Sequence, residues 1–294
     1  MASRRRISSG QLRSKLRQAQ NKINQAARKA ERELRQADRK FRTAVNNYNR
    51  GVREHNRRVR ANQQKLRQEL NRLQNRSVST RYTTLRTSVQ TVHTAYVAYE
   101  NQVGAEADSS MHAEFLDLAE RESANSAAAL NALLDEEQAV GDDAEDICET
   151  AITDELQVIS SDLDQRWRGA LFALNPGNPD AARHFCTSTR EIYAEILELK
   201  APNDEVLATT PNCSKTPDGR ATRRAKIHHV LAKKGMDVSS LEEFVEQDID
   251  NIVELFKVFN PATHGPAGRY DHTKLLAIKT RAEDGLLFLS RVVS

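Results

Sequence analysis

The stretch Trp167–Lys200, WRGALFALNPGNPDAARHFCTSTREIYAEILELK, decides the fold of the second half of the chain. Trp167, Ala170 and Leu174 end an apolar stripe that runs through Ile147, Ala151, Leu156, Ile159 and Leu163. That periodicity predicts one helix from about Asp143 to Leu174. Asn175 to Asn178 reads as a turn. Asn178 is suited to cap a second helix, Pro179 to begin it, and Asp180 to sit near its positive end. This second helix should bury Phe185, Thr189, Ile192, Ile196 and Leu199, and Pro202 should stop it. So short a connection predicts an antiparallel helical hairpin.

Toward the C-terminus, Asn203–Arg220 carries Pro211, Pro217 and Gly219 with little periodicity, and reads as a loop. A short basic helix over about Ala221–Lys234 follows, ended by Gly235. Ser240-Leu241-Glu242-Glu243 has the form of a capping box. The helix it opens carries Leu241, Val245, Ile249, Ile252, Phe256 and Phe259 inward. Thr263 to Tyr270 reads as another loop. Asp271 caps a last helix with Leu275, Ile278, Ala282, Leu286, Leu289 and Val293 inward. Gly141-Asp142-Asp143 marks the expected domain boundary, so residues 141–294 are expected to form a helical bundle of ordinary domain size.

Toward the N-terminus the pattern changes. From Leu12, apolar or small residues recur at Leu16, Ala19, Ile23, Ala26, Ala30, Leu34, Ala37, Phe41, Val45, Tyr48 and Val52, then at Val59, Leu66, Leu70 and Leu73. Steps of three and four hold them on one face of a helix over Gln11–Gln74, roughly 95 Å long at ~1.5 Å per residue. Polar His55 and Asn62 fall on this seam. Nothing so long and polar is stable without a partner helix. A second stripe (Tyr82, Leu85, Val89, Val92, Tyr96, Tyr99, Val103) and a third (Met111, Phe115, Leu118, Glu122, Asn125, Ala129, Ala132) supply candidates, folding back within the chain or pairing between subunits. The expected architecture is all-α. A basic tail at 1–10 that is disordered precedes a coiled coil or helical hairpin over 11–140, and the helical bundle follows.

Charge follows the same partition. Residues 1–76 hold 23 Lys/Arg and 5 Asp/Glu, residues 77–165 hold 3 and 19, and residues 166–294 hold 18 and 17. The basic first helix could therefore be neutralised by the acidic helices after it, or serve as a footprint for nucleic acid. Three cysteines (Cys148, Cys186, Cys213) without metal-ligand spacing suit a reducing cytoplasm. Met1 to Arg6 is basic with no apolar core behind it, and no window reaches the ~18 apolar residues of a membrane span. A cytoplasmic protein that does not engage membranes is expected.

Motifs for a metal, a Ser-His-Asp triad, a phosphate loop or a redox pair are missing, and no cofactor or metal is expected. Three constellations remain. On the hairpin's second helix Arg183 and Arg190, seven apart, share a face, and Glu191 could pair with Arg183 or Arg223. In Arg223-Arg224-Ala225-Lys226-Ile227-His228-His229, an Arg precedes a His by five positions twice, at Arg223/His228 and Arg224/His229. Arg with His can cleave RNA without metal: His moves the 2′-hydroxyl proton and Arg stabilises the phosphorane. His264 sits in the loop Asn260-Pro261-Ala262-Thr263-His264-Gly265-Pro266, a common setting for functional side chains. Each also has a structural reading, as a tie between helices, a solvated basic face or a loop anchor.

Trp167 with Gly169-Ala170, Asn178-Pro179-Asp180, Arg183-His184, Ser188, Arg190-Glu191, Ala201-Pro202, Thr222-Arg223-Arg224-Ala225, Thr263-His264 and Arg281-Ala282-Glu283-Asp284 together resemble a family of helical domains described as predicted nucleases associated with prokaryotic PIWI-type defence proteins. The resemblance spans about Asp154–Val293. The pattern is also distantly similar to HEPN-type helical RNase domains, in which Arg is followed by His four to six residues later. In place of the usual polar residue after the Arg, this chain has Arg224 or Ala225. What the resemblance implies is a metal-independent nuclease or nucleic-acid-binding effector of a defence system, acting on RNA sooner than DNA, beside a defence-system protein partner. His264, His228, His229, Arg190 and Glu191 are the candidate catalytic residues, and Arg183, Arg223, Arg224 and Lys226 the candidate nucleic-acid contacts. A homo-oligomer through the coiled coil is expected. The competing readings are a non-catalytic scaffold that recruits a partner and an architectural nucleic-acid binder.

Overall fold

The computed structural model describes residues 8–104, 110–135, 150–175, 178–236, 238–259 and 272–294. Ten α-helices account for most of them: α1 Ser9–Gln74, α2 Thr83–Gly104, α3 Ser110–Leu134, α4 Thr153–Ile159, α5 Ser161–Ala173, α6 Ala181–Lys200, α7 Asn203–Thr209, α8 Arg223–Lys233, α9 Ser239–Phe259 and α10 His272–Val293. Among the described residues the only β pairing is an isolated bridge between Lys215 and Ala221. The protein is all-α. None of these helices is long and apolar enough to cross a membrane. The chain divides into two compact units, Met1–Arg60 and Ala61–Ser294.

In the first unit α1 opens on a reciprocal cap. The Ser8 amide donates to Gln11 Oε1 at 3.2 Å and the Gln11 amide to Ser8 Oγ at 3.3 Å. This is the capping-box geometry, satisfying two helix-end donors at once. Along the helix Lys29–Glu33 (3.9 Å), Glu31–Arg35 (2.5 Å) and Asp38–Arg42 (3.0 Å) pair at a spacing of four. The apolar stripe from Leu12 to Val52 is exposed.

The second unit has one continuous core. Helices α5 and α6 pack together with the Trp167 and Phe185 rings tilted at 5.7 Å. Asn178 and Pro179 do not cap and begin α6: the helix starts at Ala181 after Asp180, and Asn178 Oδ1 accepts from the Asp180 amide at 3.1 Å ahead of it. Trp167 is fully buried, and its indole N–H donates to Thr150 Oγ1 at 2.8 Å. Leu197, not Leu199, faces inward at the end of α6; Leu199 is exposed. The single helix expected over 143–174 is interrupted. Ser160 adopts an extended conformation and its hydroxyl accepts from the Asp162 amide, capping α5 and ending α4. Residues 143–149 of that expectation, and the boundary expected at Gly141, lie outside the described residues. The 203–220 segment is not all loop. Its first seven residues form α7, with Val206 in the core.

Gly235 follows α8 with φ of 67°, the left-handed conformation that glycine permits at a helix end. The capping box expected at Ser240 is not formed. Helix α9 begins one residue earlier, and the Ser240 hydroxyl donates to Gln102 Oε1 at 2.5 Å.

Helices α2 and α3, expected to belong with α1 in a coiled coil ending near residue 140, belong instead to the bundle. Helix α2 makes an extensive interface with α9, and α3 packs on α10. Polar ties accompany it: Ser126 Oγ donates to Asn251 Oδ1 at 2.9 Å, and Asn251 Nδ2 to Ser88 Oγ at 3.3 Å. The C-terminal segment of α1 joins this unit through Leu66 and Leu73. Asn62 donates to Asp117 at 2.9 Å, Arg72 to Asp135 at 3.1 Å, and Arg76 also pairs with Asp135. The expected pairing of basic α1 with acidic α3 is therefore realised over residues 62–76.

Candidate active site

Helix α8 starts at Thr222, whose hydroxyl accepts from the Ala225 amide at 3.2 Å. Its cations then meet carboxylates on neighbouring helices. Arg223 pairs with Asp250. Arg224 reaches Glu242 and Glu243, each at 2.8 Å, and Glu246 at 3.1 Å. Lys226 is buried against Glu198, which also takes Arg220 at 2.9 Å. The hydrogen bond from Lys226 holds the Glu198 carboxyl below its ordinary range.

The two His residues diverge. His228 Nδ1 lies 3.0 Å from Glu242, so His228 and Arg224, four apart, share one carboxylate. His229 is buried on another face, with Nδ1 3.1 Å from Thr209 Oγ1 and Nε2 3.6 Å from Glu205. The helix thus does not join Arg223 to His228, or Arg224 to His229, as a unit. A spacing of five turns the second residue about 140° away from the first.

On α6, Arg183 pairs with Asp180, the residue just before the helix. Arg223, the other partner expected for Glu191, pairs with Asp250 instead. Both Arg190 and Glu191 are exposed. His264 lies outside the described residues.

The densest arrangement of charge lies elsewhere, where α3, α9 and α10 meet. Arg281 is 1% exposed. Its Nη1 donates to Glu122 Oε2 at 2.9 Å, and its Nη2 to Asp248. Glu122 and Asp248 are equally buried. Burial outweighs the neighbouring guanidinium and pushes the Glu122 carboxyl up to about 8. Asp248 is raised for the same reason. Asp284, one helical turn beyond Arg281, is raised by burial too, with Arg281, Arg121 and Lys65 opposing the shift.

Gly285 makes this packing possible. A Cβ there would stand 2.3 Å from Ile252 Cδ1, 2.4 Å from the Tyr193 hydroxyl and 3.2 Å from Arg281 Nη1. The Tyr193 hydroxyl donates to the Ala282 carbonyl at 3.1 Å, directly under the cluster.

One side of the cluster opens on a cavity of about 270 Å³. Ala128, Ala129, Ala132, Leu276 and Ala277 form its apolar walls, and Lys65, Asn125, Thr280, Arg281 and Asp284 its polar part. Lys65 Nζ donates to Asn125 Oδ1 at 2.8 Å. Arg281 Nε is buried and has no hydrogen-bond partner among the described residues. Two cations and a carboxylate with a raised pKa on an apolar cavity are the groups that anion binding and proton transfer call for.

Residues 156–289 match the family model described as predicted pPIWI-associating nuclease. No curated protein and no solved structure matches the chain. Arg281, Asp248 and Asp284 fall inside the span matched to this nuclease family, and Glu122, Lys65 and Asn125 outside it. Sequence reasoning singled out Arg281 and Asp284 as part of the resemblance but not as site residues. The signal for the others was present. Glu122 and Asn125 interrupt the apolar stripe of α3, and a charged residue at a core position of a helix requires a buried partner.

Proposed function

We propose that the chain is a nuclease effector of a prokaryotic defence system and that its chemistry takes place at the α3–α10 cavity. The observation that carries the reading is the coincidence of the nuclease-family match with a cavity where Arg281 and Asp284 adjoin. RNA is the favoured substrate, because its own 2′-hydroxyl supplies the nucleophile. Asp284 takes the proton from that hydroxyl; its raised pKa makes it a stronger base than an ordinary carboxylate. The 2′-oxygen then bonds to phosphorus, the bond from phosphorus to the 5′-oxygen breaks, and Arg281 and Lys65 neutralise the phosphorane between those steps. His264 keeps its sequence-based assignment, as donor of a proton to the leaving 5′-oxygen. Glu122 and Asp248 are positioning residues that hold Arg281.

The test is cleavage of labelled RNA and DNA by the full chain, with and without EDTA, against Asp284→Asn and Lys65→Met. Loss of RNA cleavage in Asp284→Asn at unchanged thermal stability supports the reading. A wild-type chain that cleaves neither polymer, or an Asp284→Asn protein as active as wild type, sinks it.

The scaffold reading has one observation in its favour. Arg223, Arg224, Lys226, His228 and His229 all have carboxylate neighbours on α6, α7 or α9, as structural ties between helices do. In that reading the cluster on Arg281 only fixes the helix packing.

A further inference from the structure

The apolar stripe of α1 has an internal symmetry. Residues whose numbers sum to 64 are apolar together: Leu12 with Val52, Leu16 with Tyr48, Ala19 with Val45, Ile23 with Phe41 and Ala30 with Leu34. Ala26 and Ala37 miss the same sum by one. All twelve fall within about 100° of one another on a helix of 3.6 residues per turn. This stripe is exposed: Ile23 and Phe41 at 68%, Leu34 and Tyr48 at 72%. An exposed apolar stripe of that length requires a second helix to cover it.

We propose that residues 12–52 of α1 pair with the same segment of a second copy of this chain as an antiparallel two-stranded coiled coil. The inference stands independently of the nuclease reading. Reversing the partner about Arg32 brings ten of the twelve seam residues against another, with Ala26 and Ala37 one position out of register, over about 60 Å at 1.5 Å per residue. The direction follows from side-chain size. A parallel pair in register would set Ala19, Ala26 and Ala30 against their own copies and Phe41 against Phe41, leaving one half thin and the other crowded. Antiparallel pairing sets Ala19 against Val45 and Ala30 against Leu34, the alternation of small and large that fills a seam.

Charge distinguishes this partner from a polyanion. Residues 9–60 hold 16 Lys/Arg and 4 Asp/Glu, and Glu31, Glu33 and Asp38 are already engaged within the helix. Two such helices repel each other, so their association strengthens as salt shortens the screening length, from about 10 Å at 0.1 M to about 3 Å at 1 M. Nucleic acid bound to the same helix would respond oppositely, because salt removes the gain from counterion release.

Sedimentation equilibrium of the full chain at 0.1 and 1 M salt reads the association. The expected result is a dimer that tightens with salt and weakens at least about 100-fold in Ile23→Glu/Phe41→Glu, which loses large apolar contacts from both strands. In Ile23→Cys/Phe41→Cys, oxidation followed by peptide mapping is expected to give an interchain link between positions 23 and 41. Those positions lie about 27 Å apart along one helix, too far to bridge within a chain. A monomer at both salt concentrations overturns the proposal. So does a link joining 23 to 23 or 41 to 41, or a monomer whose N-terminal helix binds nucleic acid instead.

Discussion

Replacing Glu122 by Gln tests the account of the buried cluster. In the folded protein Glu122 is fully buried and titrates near 8, against 4.5 for a free carboxyl, because burial outweighs the attraction of Arg281. A folded-state pKa above the unfolded one means that the native state holds the proton longer. Below about pH 4.5 both states are protonated and the group contributes no pH dependence. Between 4.5 and 8 the folded protein alone keeps the proton, so folding requires proton uptake and stability falls as pH rises. The slope for one proton is about 1.4 kcal/mol per pH unit. Across the window the shift corresponds to on the order of 5 kcal/mol for Glu122 titrating alone, and to less where Asp248 shares the same proton.

Glutamine preserves the shape and the carbonyl acceptor for Arg281 Nη1 but has no proton to lose. Urea unfolding of wild type and Glu122→Gln at pH 5, 6, 7 and 8 isolates Glu122 together with the buried carboxyls coupled to it, because titrations elsewhere in the chain are common to both proteins. Near pH 5 the two should be close in stability. By pH 8 the variant should lead by several kcal/mol, with the difference growing at each step. Parallel curves would show that Glu122 does not titrate in this window. A wild type that gains on the variant with rising pH would mean that the ion pair with Arg281 outweighs burial, and the reasoning would fail.

Two further substitutions probe the neighbourhood. Gly285→Ala adds a methyl within 2.4 Å of both Ile252 Cδ1 and the Tyr193 hydroxyl. It should destabilise by about 2 kcal/mol in urea, despite the better helix propensity of Ala; a more stable protein would contradict the close packing. Arg224→Ala removes a half-exposed cation already shared by three carboxylates. It should change stability by less than about 1 kcal/mol and leave the salt dependence of nucleic-acid binding unchanged. A flatter salt slope would show that Arg224 contacts phosphate.

The hairpin of α5 and α6 was legible because its determinants are local, a short connection between two apolar stripes. Its start was not, since α6 begins at Ala181, two residues after the Pro179 expected to open it. The stripes of α2 and α3 were equally legible, but not their destination. An amphipathic face states that something must cover it and not which element does, so α2 could be read as a partner of α1 when it covers α9. The site fared worse for the same reason. Arg223, Arg224 and Lys226 stand out in sequence as a basic run, and the carboxylates that occupy them lie 18 to 28 residues away. Arg281 and Glu122 are 159 residues apart, and no local pattern links them.

That separation has a consequence for any fragment cut to the nuclease-family match. Residues 156–289 contain Arg281, Asp248 and Asp284 but not Glu122, Lys65 or Asn125, so the fragment would leave Arg281 with one of its two buried carboxylate partners. It would also uncover α9. Helix α2 places Leu85, Val89, Val92, Tyr96, Tyr99 and Val103 in the core. At roughly 1.5–3 kcal/mol for each buried large apolar side chain, their loss removes about 10 kcal/mol or more. The whole net stability of a typical domain is about 5–15 kcal/mol. Residues 150–294 expressed alone should therefore lack a cooperative thermal transition and be cleaved rapidly by protease, whereas residues 61–294, which retain α2, α3 and the end of α1, should unfold cooperatively. A 150–294 fragment with a sharp transition and native-like amide protection would show that α2 and α3 are accessory. The proposal that chemistry takes place at their junction with α10 would then have to be abandoned.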